Sequence, residues 1–182
     1  KNHVYSKEME HDACGVGVIV STEGKKSRKI VQHGIEALKA VWHRGAVDAD
    51  GKTGDGAGIH VEIPKDFFIE KIEVTGHDYD NAEICVGMIF LPRNDYSAQE
   101  SCKTIVESEL TKNNFSIYGW RQVPVNPKIL GQKALQTMPE IIQVLFKSND
   151  NNLLEKNLER KIYETRKKIE NKAFQLSLNN FY

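Results

Sequence analysis

The chain has 182 residues, and its 25 Lys and Arg balance its 25 Asp and Glu, so the formal net charge is zero. Such a chain carries no overall field that would attract nucleic acid or an anionic membrane, and no apolar run approaches the ~20 residues that span a bilayer. Its three cysteines form no C-x-x-C pair, which argues against a disulfide framework and against a structural zinc site. The length is typical of one globular domain with a sizeable core.

The first half of the chain is predicted to contain three strands and two helices. Runs of β-branched residues and period-two alternation indicate the strands, and apolar residues at helical spacing indicate the helices. Residues 43–58 contain five glycines and three aspartates, which predict a loop. In chain order the elements are a strand at 15–21, a helix capped by Ser27 with its apolar face from Ile30 to Trp42, a strand at 59–63, a short helix after Pro64 that buries Phe67, Phe68 and Ile72, and a central strand at 82–91.

The second half is predicted to add three helical segments and further strands, which together indicate an α/β or α+β sandwich. The predicted elements are a helix at 97–110 capped by Ser97, a strand at 115–123, a short helix or turn at 131–137, a strand at 139–146, a long charged helix at 153–172 and a strand-like stretch at 174–182. A dinucleotide-binding fold would place its glycines between a strand and a helix, whereas here they precede the first strand. That fold is therefore excluded.

Cys14 is the candidate nucleophile. Glycines at positions 15 and 17 leave the backbone next to its sulfur uncovered, so a substrate could approach closely. The alternative is the common role of a cysteine as a small buried apolar residue. Cleavage between Ala13 and Cys14 would give the thiol a free α-amine on its own residue, which is a built-in general base.

The other two cysteines are predicted to be inert packing residues. Cys85 lies inside the apolar central strand, and Cys102 lies on the inner face of a predicted helix. Neither is a candidate for catalysis.

The glycine-rich loop at 43–58 is predicted to be structural. Asp48 and Asp50 resemble the start of a calcium loop, but the residues that an EF-hand needs at its later positions are missing. A phosphate-binding loop fails on the spacing of its glycines. His43 and Arg44 close a helix, where cations are favourable, so they are better read as a cap or anchor than as a catalytic pair. The remaining histidines lack ligand spacing, and no metal site is predicted.

Four sequence motifs together resemble one family. They are E-H-D-A-C-G-V-G-V-I at 10–19, H-R-G-A-V-D-A-D-G-K-T-G-D-G-A-G-I at 43–59, G-M-I-F-L-P at 87–92 and G-W-R-Q-V-P-V-N at 119–126. L-G-Q-K-A-L follows at 130–135. In this order and spacing the chain resembles the amidotransferase domain of the glutamate synthase large subunit, a class II glutamine amidotransferase.

The resemblance implies an N-terminal-nucleophile hydrolase fold of the α+β class, a four-layer αββα sandwich that would be incomplete at the C-terminus of this chain. It implies that residues 1–13 are a propeptide or leader and that residues 14–182 are the front part of the amidotransferase domain. Cys14 then becomes the first residue of the mature enzyme and its nucleophile.

The resemblance also implies an activity. Glutamine would be hydrolysed to glutamate and ammonia through a thioester on Cys14, and the ammonia would pass to 2-oxoglutarate in the full-length enzyme. FMN and an iron–sulfur cluster are expected in the other synthase domains of the same polypeptide, with ferredoxin or a small reductase subunit as a further partner. The expected location is the bacterial cytoplasm or the plastid stroma, without a nucleic acid or membrane partner.

Two family features are missing from these residues. The arginine that binds the glutamine carboxylate and the asparagine–glycine pair of the oxyanion site are expected beyond Tyr182, so no substrate-binding residue is assigned here. Loss of one oxyanion donor typically lowers the rate by ~100- to 1000-fold, and these 182 residues alone are expected to be inactive. The alternative is a truncated or degenerate, non-catalytic amidotransferase-like domain with a structural or regulatory role.

Overall fold

A computed structural model describes residues 15–42, 45–54, 56–150, 154–178 and 181–182. Within these ranges the elements are α1 (Arg28–Ala40), α2 (Lys65–Val74), β1 (Cys85–Leu91), α3 (Tyr96–Lys112), β2 (Phe115–Gln122), a 3₁₀ turn (Pro127–Ile129), α4 (Gln132–Thr137), β3 (Glu140–Ser148) and α5 (Glu155–Gln175). The chain divides into two compact units. We call Lys1–Val61 with Ile129–Lys133 the N-terminal unit, and Glu62–Lys128 with Ala134–Tyr182 the sheet unit.

The sheet unit is built on three antiparallel strands in the order β1-β3-β2. β3 is central because its run of β-branched and aromatic residues is buried on both faces, with Val144 and Leu145 on opposite sides. On the outer edge of β1, the Phe90 amide donates to the Tyr182 carbonyl at 2.7 Å, and the Tyr182 amide donates to the Phe90 carbonyl at 3.1 Å. The final residues of the chain therefore pair with the edge of this sheet.

Helices α3 and α5 cover one face of the sheet and enclose the largest core. This core contains Cys85, Val106, Leu110, Phe115, Val144, Phe146 and Leu158. The rings of Phe115 and Phe146 meet edge to face, with centroids 5.3 Å apart. At the rim, the buried Glu109 of α3 pairs with Lys172 of α5, whose hydrogen bond holds the pKa of Glu109 below its usual range.

Helix α2 packs on the opposite face through Phe68 and Ile72, which contact Tyr118 and Leu145. The strand β2 has a bulge between Ile117 and Gly119, and the Thr75 hydroxyl donates to the Tyr118 carbonyl there at 2.6 Å. Gly119 has φ 147°, and a Cβ at this position would lie 2.7 Å from the Thr75 side chain. A glycine is therefore required where α2 ends against the strand.

The helix starts show how local sequence fixes the elements. The Ser27 hydroxyl accepts from the Lys29 amide at 3.1 Å, so α1 begins where its predicted cap lies. The prediction of Ser97 as the cap of α3 is wrong. The Asp95 carboxylate accepts from the Ala98 amide at 2.9 Å, and the helix begins one residue before Ser97.

Two predicted strands are absent from the described residues. Residues 15–21 and 59–63 form no strand, and Val16 and Val18 are 92% and 82% exposed. A strand exists only when a neighbouring backbone completes its hydrogen-bond ladder, and none of the described residues does this for either segment. The prediction at 174–182 is also wrong in part, because α5 continues to Gln175. The α+β class is confirmed.

Candidate functional site

Three residues that the sequence singles out, Cys14, His43 and Arg44, lie outside the described residues, as do the predicted leader at 1–13 and Asp55 of the glycine-rich loop. What the structure supplies is the chain next to them: the segment after Cys14, the loop between Arg44 and Asp55, and the residues that contact this loop.

The segment that follows Cys14 is open to solvent. A Cβ built on Gly15 or Gly17 would meet no atom within 4 Å. The valines between and after them are exposed. The uncovered backbone expected from the two glycines is therefore present in the structure from the first described residue onward.

The loop of residues 45–54, which we call the aspartate loop, is a compact turn. The Asp48 amide donates to the Thr53 carbonyl at 2.7 Å, and the Gly51 amide donates to the Asp48 carbonyl at 2.9 Å. Val47 and Gly54 form an isolated antiparallel bridge across its base. Because Gly51 has φ 68°, the turn needs a residue that adopts the left-handed region without strain.

Asp50 is the centre of this loop. Its carboxylate accepts from the Thr53 hydroxyl at 2.6 Å and from the Thr53 and Lys52 amides at 2.7 and 2.9 Å. These hydrogen bonds, with the Thr53 hydroxyl first, lower the pKa of Asp50 to about 2. The carboxylate is ionised at neutral pH and occupied by the loop itself. Within the described ranges, no three His, Cys, Asp or Glu side chains are placed to hold a metal ion.

The aspartate loop is contacted by residues 131–133, far away in sequence. The Lys133 ammonium lies 2.5 Å from Asp48 Oδ2, although the two residues are 85 positions apart. The Gln132 amide donates to the Asp50 carboxylate. Gly131 is buried, and its backbone lies against Asp50 and Thr53 of the loop. The sequence does not predict this contact, because its only signal is that both segments belong to the motifs of one family.

The prediction for the other two cysteines is confirmed. Cys85 and Cys102 are free thiols, 4% and 0% exposed. Burial, followed by the charges of Glu83 and Glu159, raises the pKa of Cys85 to about 12. Burial also raises the pKa of Cys102. Both thiols are therefore protonated and shielded at neutral pH, which makes them poor nucleophiles.

Among the helices in the described ranges, none combines the length and the apolar composition that crossing a bilayer requires.

Comparisons with known proteins agree on one family. The family model described as "Glutamine amidotransferases class-II" matches residues 14–182. The chain is 50% identical over 180 residues to the glutamate synthase [NADPH] large chain of Azospirillum brasilense, covering 99% of this chain and 12% of that protein. It is 41% identical over 166 residues to the ferredoxin-dependent glutamate synthase of Pyropia yezoensis, covering 91% of this chain and 10% of that protein. It is 35% identical over 196 residues to the glutamate synthase [NADH] of Saccharomyces cerevisiae, covering 99% of this chain and 9% of that protein. The chain thus spans about a tenth of the length of these relatives.

Proposed function

Because this chain belongs to the class II glutamine amidotransferases, as its motifs predicted, we propose that it supplies the glutaminase activity of a glutamate synthase, with Cys14 as nucleophile. The observation that carries the proposal is the family match, which starts at Cys14 itself. A match that starts at the thiol supports residues 1–13 as a leader that is removed. Residues 14–182 would then be the front part of the amidotransferase domain.

The proposed chemistry uses the new N-terminus as its base. A free α-amine has an unperturbed pKa near ~8, so a useful fraction is unprotonated at neutral pH. This amine takes the thiol proton, and the sulfur attacks the side-chain amide carbon of glutamine. The carbon–nitrogen bond breaks and ammonia leaves, carrying the proton. Water then hydrolyses the thioester and releases glutamate, which returns the thiol to its starting state.

Two features of the described residues support Cys14 over the other thiols. The chain after Cys14 is open to solvent at Gly15 and Gly17. The other two cysteines are buried in the sheet unit, where they serve packing. The described residues that follow Cys14 are therefore accessible, whereas the other two thiols are shielded, and access is the first requirement of a nucleophile.

The later steps of the proposed reaction need parts outside these residues. We propose that ammonia passes to 2-oxoglutarate in other synthase domains of the same polypeptide, with ferredoxin or a small reductase subunit as electron-donating partner. An iron–sulfur cluster requires about four cysteine ligands, whereas this chain has three, two of them buried apart from each other in the sheet unit. The residues present do not fit that cluster, so we assign the cluster and FMN to the other domains. The bacterial cytoplasm or plastid stroma is the proposed location.

The finer architecture is proposed as the four-layer αββα sandwich of N-terminal-nucleophile hydrolases. Two observations support it: α3 and α5 form a helical layer on one face of an antiparallel sheet, and exposed apolar residues alternate along the segments at 15–21 and 59–63. Alternation of this kind is typical of strands whose partners bury one face.

The test is covalent labelling of the full protein with a glutamine-mimicking diazo-ketone. We expect one label per chain, located by peptide mass spectrometry on Cys14, and loss of ammonia release from glutamine in the Cys14→Ala variant. The matched control is Cys102→Ala, which removes a buried thiol and should leave the label in place. Equal labelling of all three cysteines, or unchanged ammonia release by Cys14→Ala, would contradict the proposal.

N-terminal sequencing of the mature protein tests the processing step separately. Removal of the leader predicts that the sequence starts at Cys14. A mature protein that keeps the residues before Cys14, together with no ammonia release, would instead favour the non-catalytic amidotransferase-like domain.

A further inference from the structure

Gly131 occupies an unusual position in the N-terminal unit. It is buried, and no other described residue of that unit is. A Cβ on Gly131 would overlap the Thr53 hydroxyl and the Asp50 carboxylate, and would lie 2.6 Å from the Thr53 amide nitrogen. The backbone at 131 therefore touches the aspartate loop at the point where its hydrogen bonds converge.

This close approach lets the next two residues reach the loop. The Gln132 amide donates to the Asp50 carboxylate, which already accepts from Lys52 and Thr53. The Lys133 ammonium pairs with Asp48 on the other side of the turn. Three consecutive residues thus contact the loop in three ways: a backbone contact, a backbone hydrogen bond and an ion pair.

The loop needs such support because of its composition. Five glycines within residues 43–58 raise the conformational entropy that must be lost when the stretch takes one shape. The described part of this stretch buries no side chain that would offset the loss. Its order must come from polar contacts, and residues 131–133 supply several of these from outside the loop.

We propose that Gly131, Gln132 and Lys133 are positioning residues that hold the aspartate loop in its working shape through Asp48 and Asp50. The catalytic consequence rests on the proposed function. In sequence, the loop lies inside the glycine-rich family motif at 43–59, so we expect a displaced loop to lower the proposed glutaminase activity. Residues 131–133 act on catalysis through the loop and touch no reacting atom.

The first test is hydrogen exchange of the full protein and its Gly131→Ala variant. We expect the amides of Asp48, Gly51 and Thr53 to exchange about tenfold faster or more in the variant, because the added Cβ pushes the segment off the loop. Gly34→Ala is the matched control, since a Cβ on Gly34 meets no atom within 4 Å. Unchanged exchange of the loop amides in Gly131→Ala would overturn the proposal.

The second test uses Lys133, which is exposed and tolerates substitution without risk to a core. Lys133→Gln should lower kcat/KM for glutamine by up to about fivefold, seen as a raised KM, because an ion pair with an exposed lysine contributes at most about 1 kcal/mol. Lys133→Arg keeps the charge, so this variant should keep most of the wild-type kcat/KM. A general structural defect would lower kcat as well as raise KM, and Lys133→Arg would not rescue it. Equal kinetics of Gln and Arg variants would count against the ion pair.

The two proposals fail in different ways. If the wild-type protein neither releases ammonia nor takes a label at Cys14, the glutaminase proposal fails. Hydrogen exchange of Gly131→Ala still tests whether residue 131 supports the aspartate loop. If Cys14 is labelled normally but loop exchange is insensitive to Gly131→Ala and Lys133→Gln, the positioning role alone fails.

Discussion

The two units of this chain are ordered by different forces. All seventeen buried hydrophobic residues in the described part of the chain belong to the sheet unit, where they join the sheet to α2, α3 and α5. In the described part of the N-terminal unit no hydrophobic side chain is buried, and its order rests on the Ser27 cap and the hydrogen bonds of Asp50. The comparison teaches that polar contacts can define a local shape without a core to stabilise it.

Helix α1 illustrates the difference. Its apolar residues share one face, as the sequence predicts, yet none of its residues is buried and Trp42, just beyond its end, is 73% exposed. A 13-residue helix without packing is marginal in water. Apolar patterning therefore describes what α1 could bury, while burial itself requires a partner surface.

The largest expected effect compares one apolar truncation in each unit. Leu145 is fully buried at the centre of β3, so Leu145→Ala should lower the free energy of unfolding by about 2–5 kcal/mol. Val18 is 82% exposed, so Val18→Ala should change it by less than about 0.5 kcal/mol. Urea unfolding followed by circular dichroism measures both. Comparable losses would show that the segment after Cys14 is packed in solution.

The effect of a glycine-to-alanine substitution on the free energy of unfolding should have opposite signs in the two units. Gly119→Ala places a Cβ against Thr75 at positive φ, and we expect a loss of about 1–3 kcal/mol in the free energy of unfolding. Gly34→Ala adds a better helix former in open space, and any change should be a gain of at most about 1 kcal/mol. Thermal unfolding of the two variants checks the pair. A stable Gly119→Ala would contradict the tight contact between α2 and β2.

The smallest expected effect concerns acid sensitivity in the sheet unit. Hydrogen bonds from Lys147 and then Tyr118 lower the pKa of Asp80 from 3.8 to about 2. Because the folded pKa is depressed, the contribution of Asp80 is complete above pH 3.8 and is lost as the pH falls through about 2. Asp80 is half exposed, so we expect Asp80→Asn to cost less than about 1 kcal/mol at pH 7.

Unfolding measured between pH 2 and pH 5 checks this expectation. The stability of the wild-type protein should fall more steeply across this range than that of Asp80→Asn. Parallel curves for the two proteins would show that Asp80 has the same pKa folded and unfolded. Asp50, whose pKa is also about 2, should show the same acid response in the exchange of the aspartate loop.

The sequence predicted elements well where local pattern and tertiary packing agree. The strand predicted at 139–146 is found at Glu140–Ser148, and Phe68 and Ile72 of α2 are buried as expected. Phe67 was predicted to be buried, but it is 38% exposed and lies beneath the Arg121 guanidinium at 5.0 Å. The strands at 15–21 and 59–63 failed because alternation cannot supply the neighbouring strand.

The candidate site divides in the same way. Cys14 was predicted from its immediate neighbours, since glycines beside a thiol are a local signal, and its role as nucleophile stays a prediction. The contact of residues 131–133 with the aspartate loop was not predictable, because Lys133 and Asp48 are 85 residues apart and their spacing carries no periodicity. Only the three-dimensional structure shows that Gly131 of one motif lies against Asp50 of another.

The pair of Glu109 and Lys172 has a consequence for how the two long helices find each other. Glu109 is 5% exposed, and its partners Lys172 and Lys112 come from α5 and from its own helix. A slip of α5 by one turn, about 5.4 Å, would carry Lys172 away and leave the buried Glu109 carboxylate with Lys112 of its own helix, at 3.5 Å, as its cation. We therefore expect the pair of Glu109 and Lys172 to favour one alignment of α3 and α5, mainly by making shifted alignments less stable. Lys172→Met tests this, because without the pair nuclear Overhauser contacts of a second α5 alignment should appear.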